Sequence, residues 1–179
     1  MARLHAILLL LALRGASAQT LTVCELLAHL DDLNGKEVRV RGTWTIGDTG
    51  EFLESSVGCE SHTVRDGWMW KDFIYVMPLN KDAEHFRSEH YRLKTENYDK
   101  PVKIVATVAG RFETRDHFEV RGRAVGPYKY CVGMVWYQGV EEINVLPYDD
   151  DERERQWEMA RHPYPERVKM NKQTARSPQ

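Results

Sequence analysis

One stretch decides the fold of this chain: Lys36-Glu37-Val38-Arg39-Val40-Arg41-Gly42-Thr43-Trp44-Thr45-Ile46. Apolar and polar residues alternate along it, which is the pattern of a β-strand with one buried face. Gly42 interrupts the run, and a glycine inside a strand often marks a bulge or a sharp bend. The stretch therefore predicts a first strand that curves, as the strands of a small barrel do.

The residues on either side of this stretch predict a helix and a hairpin. Between Val23 and Leu33 the apolar residues recur at steps of three and four, which indicates a short helix that ends at Asn34-Gly35. After the first strand, Gly47-Asp48-Thr49-Gly50 is typical of a hairpin turn. Residues 51–55 then form the predicted second strand.

Further elements follow in the order strand, helix, strand, strand. Residues 68–77 are rich in aromatic and β-branched side chains and predict a third strand that Pro78 ends. Between residues 80 and 94 the apolar spacing becomes helical, with Asn80 or Asp82 as candidate caps. Residues 102–112 alternate again as a strong fourth strand, and residues 140–146 form the predicted closing strand.

Two stretches resemble strands of the OB-fold family. The opening strand of that family is similar to Gly35-Lys36-Glu37-Val38-Arg39-Val40-Arg41-Gly42-Thr43-Trp44. Its fourth strand is similar to Val102-Lys103-Ile104-Val105-Ala106-Thr107-Val108-Ala109-Gly110-Arg111. The resemblance extends over about residues 24–148, and the chain is also similar to small exported bacterial proteins of this type. It implies an all-β fold, a small five-stranded Greek-key barrel with an N-terminal helix, a helix between strands 3 and 4, and a polar C-terminal tail.

The first 18 residues have the pattern of a secretory signal peptide. A short polar start with Arg3 precedes the apolar run Ala6–Leu13, and Ala16-Ser17-Ala18 is a small-x-small cleavage motif. The apolar run has eight residues against the roughly 20 of a membrane-spanning helix, so we expect a removed leader and a mature chain without a transmembrane segment. The protein is expected to be exported, to the periplasm or outside the cell, with Gln19 as its first residue.

The mature chain divides into a domain and a tail. Residues 19–148 form the predicted OB-like barrel domain, and residues 149–179 the predicted tail. In the tail, residues 149–161 suit a charged helix, and residues 163–179 are polar enough to predict disorder.

Three cysteines, Cys24, Cys59 and Cys131, lie in the mature part. An oxidising compartment favours one disulfide and one remaining thiol, and three pairings are possible. We favour Cys24 with Cys59, because that bridge would join the N-terminal segment to the first hairpin and stabilise the fold by about 2–4 kcal/mol.

Charge argues against nucleic acid as the partner. The full chain has 25 Lys and Arg against 27 Asp and Glu; removal of Arg3 and Arg14 leaves 23 against 27, a net charge of −4. Sequence-independent binding to nucleic acid needs a concentrated basic surface. A protein or a small polar ligand is therefore the expected partner.

Aromatic residues are the candidate binding residues. The resemblance implies a ligand surface on strands two and three, where this chain has Phe52, Trp68, Trp70 and Tyr75. Trp68 and Trp70 alternate, so we expect both on one side of the third strand. Trp136 is adjacent to Tyr137, and in an extended segment one of the two must face outward. The alternative is that these rings fill the barrel interior.

No catalytic, metal or cofactor motif is predicted. His85 and His90 are five residues apart, so they diverge around a helix instead of forming an i, i+4 ligand pair. We therefore expect a non-enzymatic binding or adaptor module that uses an aromatic barrel face. The alternatives are a structural envelope protein and a secreted hydrolase; the hydrolase would need side chains such as His62, Asp116, His117 or Glu119 to converge in one cleft.

Overall fold

The computed structural model describes residues 19–47, 50–61, 63–65, 68–114, 132–154 and 166–167. The helices are α1 (Val23–Ala28), α2 (Leu30–Leu33) and α3 (Glu84–Glu96), and a 3-10 turn over Lys81–Ala83 precedes α3. The strands are β1 (Thr20–Thr22), β2 (Glu37–Gly47), β3 (Gly50–Glu54), β4 (Val64–Arg65), β5 (Trp68–Met69), β6 (Phe73–Pro78), β7 (Val102–Thr114), β8 (Gly133–Pro147) and β9 (Glu166–Arg167).

Within the described ranges, six strands form one mixed sheet in the order β1-β2-β3-β6-β8-β7. An additional pairing joins β7, the last strand in this order, to β2, so β2, β3, β6, β8 and β7 follow one another in a ring, with β1 attached to β2 outside it. The neighbours in this ring are antiparallel apart from β6 and β8, which run parallel. The prediction of a mainly β fold is confirmed.

The first strand has the burial that its alternation predicts. Val38, Val40, Trp44 and Ile46 are buried, while Arg39 and Arg41 lie on the other face. The strand has two partners in succession: residues 37–43 pair with β7, and residues 43–47 pair with β3. One long strand therefore joins two parts of the sheet.

Both predicted helices form where the apolar spacing places them. The N-terminal helix is divided at His29 into α1 and α2, and Thr22 caps it, since its Oγ1 accepts a hydrogen bond from the Glu25 amide at 3.1 Å. The turn before α3 is capped by Asn80, whose Oδ1 accepts from the amide of Ala83 at 3.0 Å. Leu26 and Leu27 bury their side chains in the main core.

The favoured disulfide is confirmed. Cys24 on α1 is bonded to Cys59 in the loop after β3, with their Cα atoms 5.4 Å apart. The bridge fixes α1 to this loop, and Asp72 holds the loop from the other side by accepting a hydrogen bond from the Cys59 amide at 2.9 Å. Cys131 lies outside the described residues.

The predicted third strand over residues 68–77 is wrong in its continuity. Trp68–Met69 form β5 in a separate small sheet with β4 and β9, and β6 of the six-stranded sheet begins only at Phe73. The chain passes from one sheet to the other between them. The Trp70 amide donates to the Thr63 carbonyl at 2.8 Å and continues the pairing of β4 with β5, whereas the Asp72 carbonyl accepts from the Ser55 amide at 3.0 Å and continues the pairing of β3 with β6. The bond from the Phe73 amide to Lys71, at 2.9 Å, turns the backbone at this junction.

The predicted closing strand is too short. β8 extends over Gly133–Pro147 rather than residues 140–146, and it pairs with β7 over nearly its whole length. The ladder is irregular between Val105 and Thr107 and again between Ala109 and Gly110. Such bulges shift the alternation of inward and outward residues, so the sequence pattern shows only the last part of the strand.

The C-terminal region is described only in part. Residues 150–154 are helical, at the start of the predicted charged helix, and Glu152 forms a buried ion pair with Lys103 of β7. Glu166–Arg167 pair with β5, a strand that the polar composition of residues 163–179 does not predict. The described chain thus has nine strands in place of the five expected, although five of them form the ring.

Gly110 offers a direct test of the close pairing of β7 with β8. A Cβ atom built there would lie 2.1 Å from the Trp136 carbonyl oxygen and 2.6 Å from the Cα of Tyr137, both backbone atoms of β8. We predict that Gly110→Ala lowers the free energy of unfolding by about 1–3 kcal/mol or more, because β7 and β8 must separate to admit the methyl group.

Gly139→Ala is the matched control, since a Cβ at Gly139 meets nothing within 4 Å. Urea unfolding followed by circular dichroism gives both values. Equal unfolding midpoints for the two variants would contradict the close approach of β7 and β8.

Candidate functional site

Large apolar side chains collect on the face of β3, β6 and β8 that points away from the main core. We call this set the outer aromatic face; it consists of Phe52, Phe73, Tyr75, Met77, Met134 and Trp136. The strand register brings it together, because Tyr75 pairs with Phe52 on one side and Met134 on the other, and Met77 pairs with Trp136. Directly paired residues have their side chains on the same face of a sheet.

The centre of the outer aromatic face is closely packed. The ring of Phe52 lies 4.8 Å from that of Tyr75 and 5.6 Å from that of Phe73, both in edge-to-face geometry. Tyr75 is 1% exposed and Met134 is fully buried. Phe52, Met77 and Trp136 are half-buried around them, so the accessible part of this face consists of three large side chains.

A carboxylate borders the outer aromatic face. The indole Nε1 of Trp136 donates a hydrogen bond to Glu113 of β7 at 2.9 Å. The same carboxylate lies 3.6 Å from Arg111, whose side chain is more than half exposed. The indole is therefore held in one orientation, with a polar edge beside its apolar ring.

Three of the five predicted binding residues meet at this face, and two do not. Phe52 and Trp136 contribute accessible surface to it, while Tyr75 forms its buried centre. The expectation that Trp68 and Trp70 lie on one side of a strand is wrong. Trp70 is 1% exposed in the main core, and Trp68 is 37% exposed on β5 of the small sheet, because the chain breaks between residues 69 and 73.

Three members of the outer aromatic face were absent from the sequence prediction: Phe73, Met77 and Met134. Phe73, Tyr75 and Met77 alternate, and this signal was available within residues 68–77. It was hidden because Ile74 and Val76, the residues between them, are equally apolar and fill the main core. A strand buried on both faces gives no alternation in polarity.

A polar cluster lies inside the ring beneath α3. Glu51 of β3 is 3% exposed, and it forms an ion pair with Arg87 of α3. Its second oxygen accepts a hydrogen bond from the hydroxyl of Tyr137 at 3.2 Å. Burial, together with the nearby Glu51 carboxylate, raises the pKa of Tyr137, so the phenol stays protonated and donates this bond. The cluster connects α3 with β3 and β8.

His90 is the second polar contact between α3 and the strands. It is 2% exposed, its Nε2 donates to the backbone carbonyl of Trp44 at 2.9 Å, and its ring lies 4.9 Å from the indole of Trp44. Burial lowers the pKa of His90, and Lys94 adds to this effect, against the opposing effect of the bond to Trp44. The neutral imidazole is therefore the form that the fold selects.

The side chains that a hydrolase would require lie outside the described residues; they are His62, Asp116, His117 and Glu119. Among the described residues, no group of three or more His, Cys, Asp or Glu side chains is placed to hold a metal ion. In that same part of the chain, helices are too short or too polar to cross a membrane.

Comparison with known proteins gives no relative to argue from. No protein-family model, no curated protein and no solved structure matches this chain.

The Glu51–Arg87 pair predicts a difference between two arginines of α3. Arg87→Met leaves a buried carboxylate without its charge partner, and an unsatisfied buried group costs about 1–3 kcal/mol. Arg92→Met removes exposed pairs with Glu89 and Glu96 on the outer side of the helix and should change stability little. Thermal unfolding of the two variants, side by side, measures this difference, and equal losses would show that the Glu51 pair does not anchor α3.

His90 predicts a dependence of stability on pH. The pKa of His90 in the folded state is below the reference value of 6.5, so the unfolded state takes up a proton at a higher pH than the folded state does. The free energy of unfolding therefore decreases as the pH falls below about 6.5. We expect the free energy of unfolding to fall by as much as about 1.4 kcal/mol per pH unit from this group between pH 6.5 and 5.

His90→Gln should flatten that dependence while keeping an N–H donor for the Trp44 carbonyl. His29→Gln, which replaces an exposed histidine, should retain it. Urea titrations at several pH values give the slopes, and a slope unchanged in His90→Gln would assign the effect to other groups.

Proposed function

We propose that this chain is an exported, non-enzymatic binding module built on an OB-type barrel, and that the outer aromatic face is its ligand surface. The ring of β2, β3, β6, β7 and β8 supports the barrel assignment, because α3 lies between its third and fourth strands in chain order. That is where the OB fold has its helix. In this reading β3 and β6 are barrel strands two and three, which carry the ligand surface of the OB family.

The observation that carries the proposal is the contrast between two outward surfaces of the ring. On β2, β7 and β8 the outward side chains form polar pairs, with Arg39 bonded to Glu141 and Arg41 to Glu142. On β3, β6 and β8 the corresponding positions are aromatic residues and methionines. The half-buried side chains of Phe52, Met77 and Trp136 therefore give this side of the ring an apolar rim around a buried aromatic centre, where the other side has ion pairs.

The chemistry of the outer aromatic face favours an apolar or aromatic group of a peptide, or the face of a sugar ring. Phe52 and Trp136 offer ring surface for stacking, and Met77 offers an adaptable thioether between strands. The side chains beside Trp136 add a polar edge, because Glu113 accepts a hydrogen bond from the indole and lies 3.6 Å from the exposed Arg111. The mature net charge of −4 supports the same choice.

Two features support export. The pattern of residues 1–18 is that of a cleavable leader, and the Cys24–Cys59 disulfide is typical of a protein that folds in an oxidising compartment.

The test uses ligands selected on the native protein. Phage-displayed short random peptides and an array of soluble oligosaccharides are screened on the mature wild-type chain, and dissociation constants are measured for the ligands selected. We predict that Phe52→Ser with Trp136→Ser weakens these ligands by about tenfold or more, because two stacking surfaces are lost.

The matched control, Tyr91→Ser with Tyr98→Ser, also removes two rings, which are 51% and 85% exposed in the region of α3. It should leave binding unchanged. Failure to select any ligand would reject this face as the ligand surface. So would a dissociation constant of the Phe52 and Trp136 double variant equal to that of the wild type. Circular dichroism verifies that each variant is folded.

A further inference from the structure

Gln19 occupies an unusual position at the junction of leader and domain. It directly follows Ala16-Ser17-Ala18 and lies immediately before β1, which begins at Thr20. The ladder of β1 with β2 begins at Thr20, which pairs with Arg39, so Gln19 lies just outside it. Its side chain is exposed.

We propose that Gln19 is a modification site: once the leader is removed, the new terminal amine cyclises onto the glutamine side chain and forms pyroglutamate. This inference rests on the export part of the proposed function, because cleavage after Ala18 creates the amine. The α-nitrogen attacks the side-chain carbonyl carbon Cδ, a C–N bond forms, and the Cδ–NH2 bond breaks. The amide nitrogen leaves as ammonia with a proton from the attacking amine, and no oxidant or further reactant is needed.

The fold leaves this reaction unobstructed. The five-membered ring closes within one residue, so β1 keeps its pairing with β2 from Thr20 onward. An α-amine has an ordinary pKa of about 7.7–8.0, so roughly a tenth of it is in the neutral, nucleophilic form at neutral pH. Exposure of Gln19 keeps both reacting groups in water, where the ammonia can leave.

A blocked terminus would protect the segment behind it. Leu21 packs against the main core, and Thr22 caps α1 through reciprocal bonds with Glu25. An aminopeptidase that removed residues 19–22 would therefore remove β1 and the helix cap, immediately before Cys24 of the disulfide. Pyroglutamate has no free amine for such an enzyme to recognise.

The experiment is mass spectrometry of the mature chain, expressed with its own leader, measured freshly purified and again after storage for days at neutral pH. We expect a chain that starts at residue 19 with a mass about 17 Da, one ammonia, below that of free glutamine. Gln19→Asn is the matched control: it keeps a terminal amide, but the equivalent ring would have four atoms and should not form. Wild type should resist a broad-specificity aminopeptidase, whereas Gln19→Asn should be trimmed.

The possible outcomes distinguish a failure of the pyroglutamate proposal from a failure of the export proposal. A mature chain that begins at Gln19 and keeps a free amine after storage overturns the modification and leaves export standing. A chain that retains its leader, or that is cleaved at another bond, overturns both the export proposal and the inference that rests on it.

Discussion

The fold depends on the double pairing of β2. The first part of this strand bonds to β7 and the last part to β3, and the change of partner falls at Thr43, next to Gly42. A side chain at Gly42 would lie 2.8 Å from the Glu54 carbonyl oxygen and 2.9 Å from Val23, so only glycine lets β2, β3 and α1 approach this closely. Without that approach β2 could not pair with both β3 and β7, and the ring of strands would stay open.

The interior and the outer aromatic face are linked through adjacent residues of β3. Glu51 points inward to Arg87 and Tyr137, while Phe52 points outward to Tyr75 and Phe73. Since neighbouring residues of a strand face opposite sides, the inward ion pair also fixes which residue faces outward. A buried ion pair adds little net stability, but it disfavours any register that would leave Glu51 without a partner.

Local patterns predict the elements of this chain better than they predict its long-range contacts. The alternation in β2 and β7 and the helical spacing of α3 can be predicted from the sequence because each element buries one face, whereas Cys24–Cys59 is the favoured one of three possible cysteine pairings. The break after Met69 cannot be predicted from local sequence, since the residues on its two sides bond to different segments, Trp70 to Thr63 and Asp72 to Ser55. The Glu51–Tyr137 bond joins residues 86 apart, and nothing local to either residue indicates it.

The disulfide loop also sets the phase of β6, and so decides which of its residues form the outer aromatic face. Asp72 accepts from Cys59 with its side chain, and its backbone carbonyl accepts from Ser55, which fixes the residue immediately before the strand. From that start, Ile74 and Val76 enter the main core and Phe73 and Tyr75 face outward. A slip of one residue would exchange the two sets. The Cys24–Cys59 bridge thereby also holds the loop that bonds to Asp72, the residue before β6 and its candidate ligand surface.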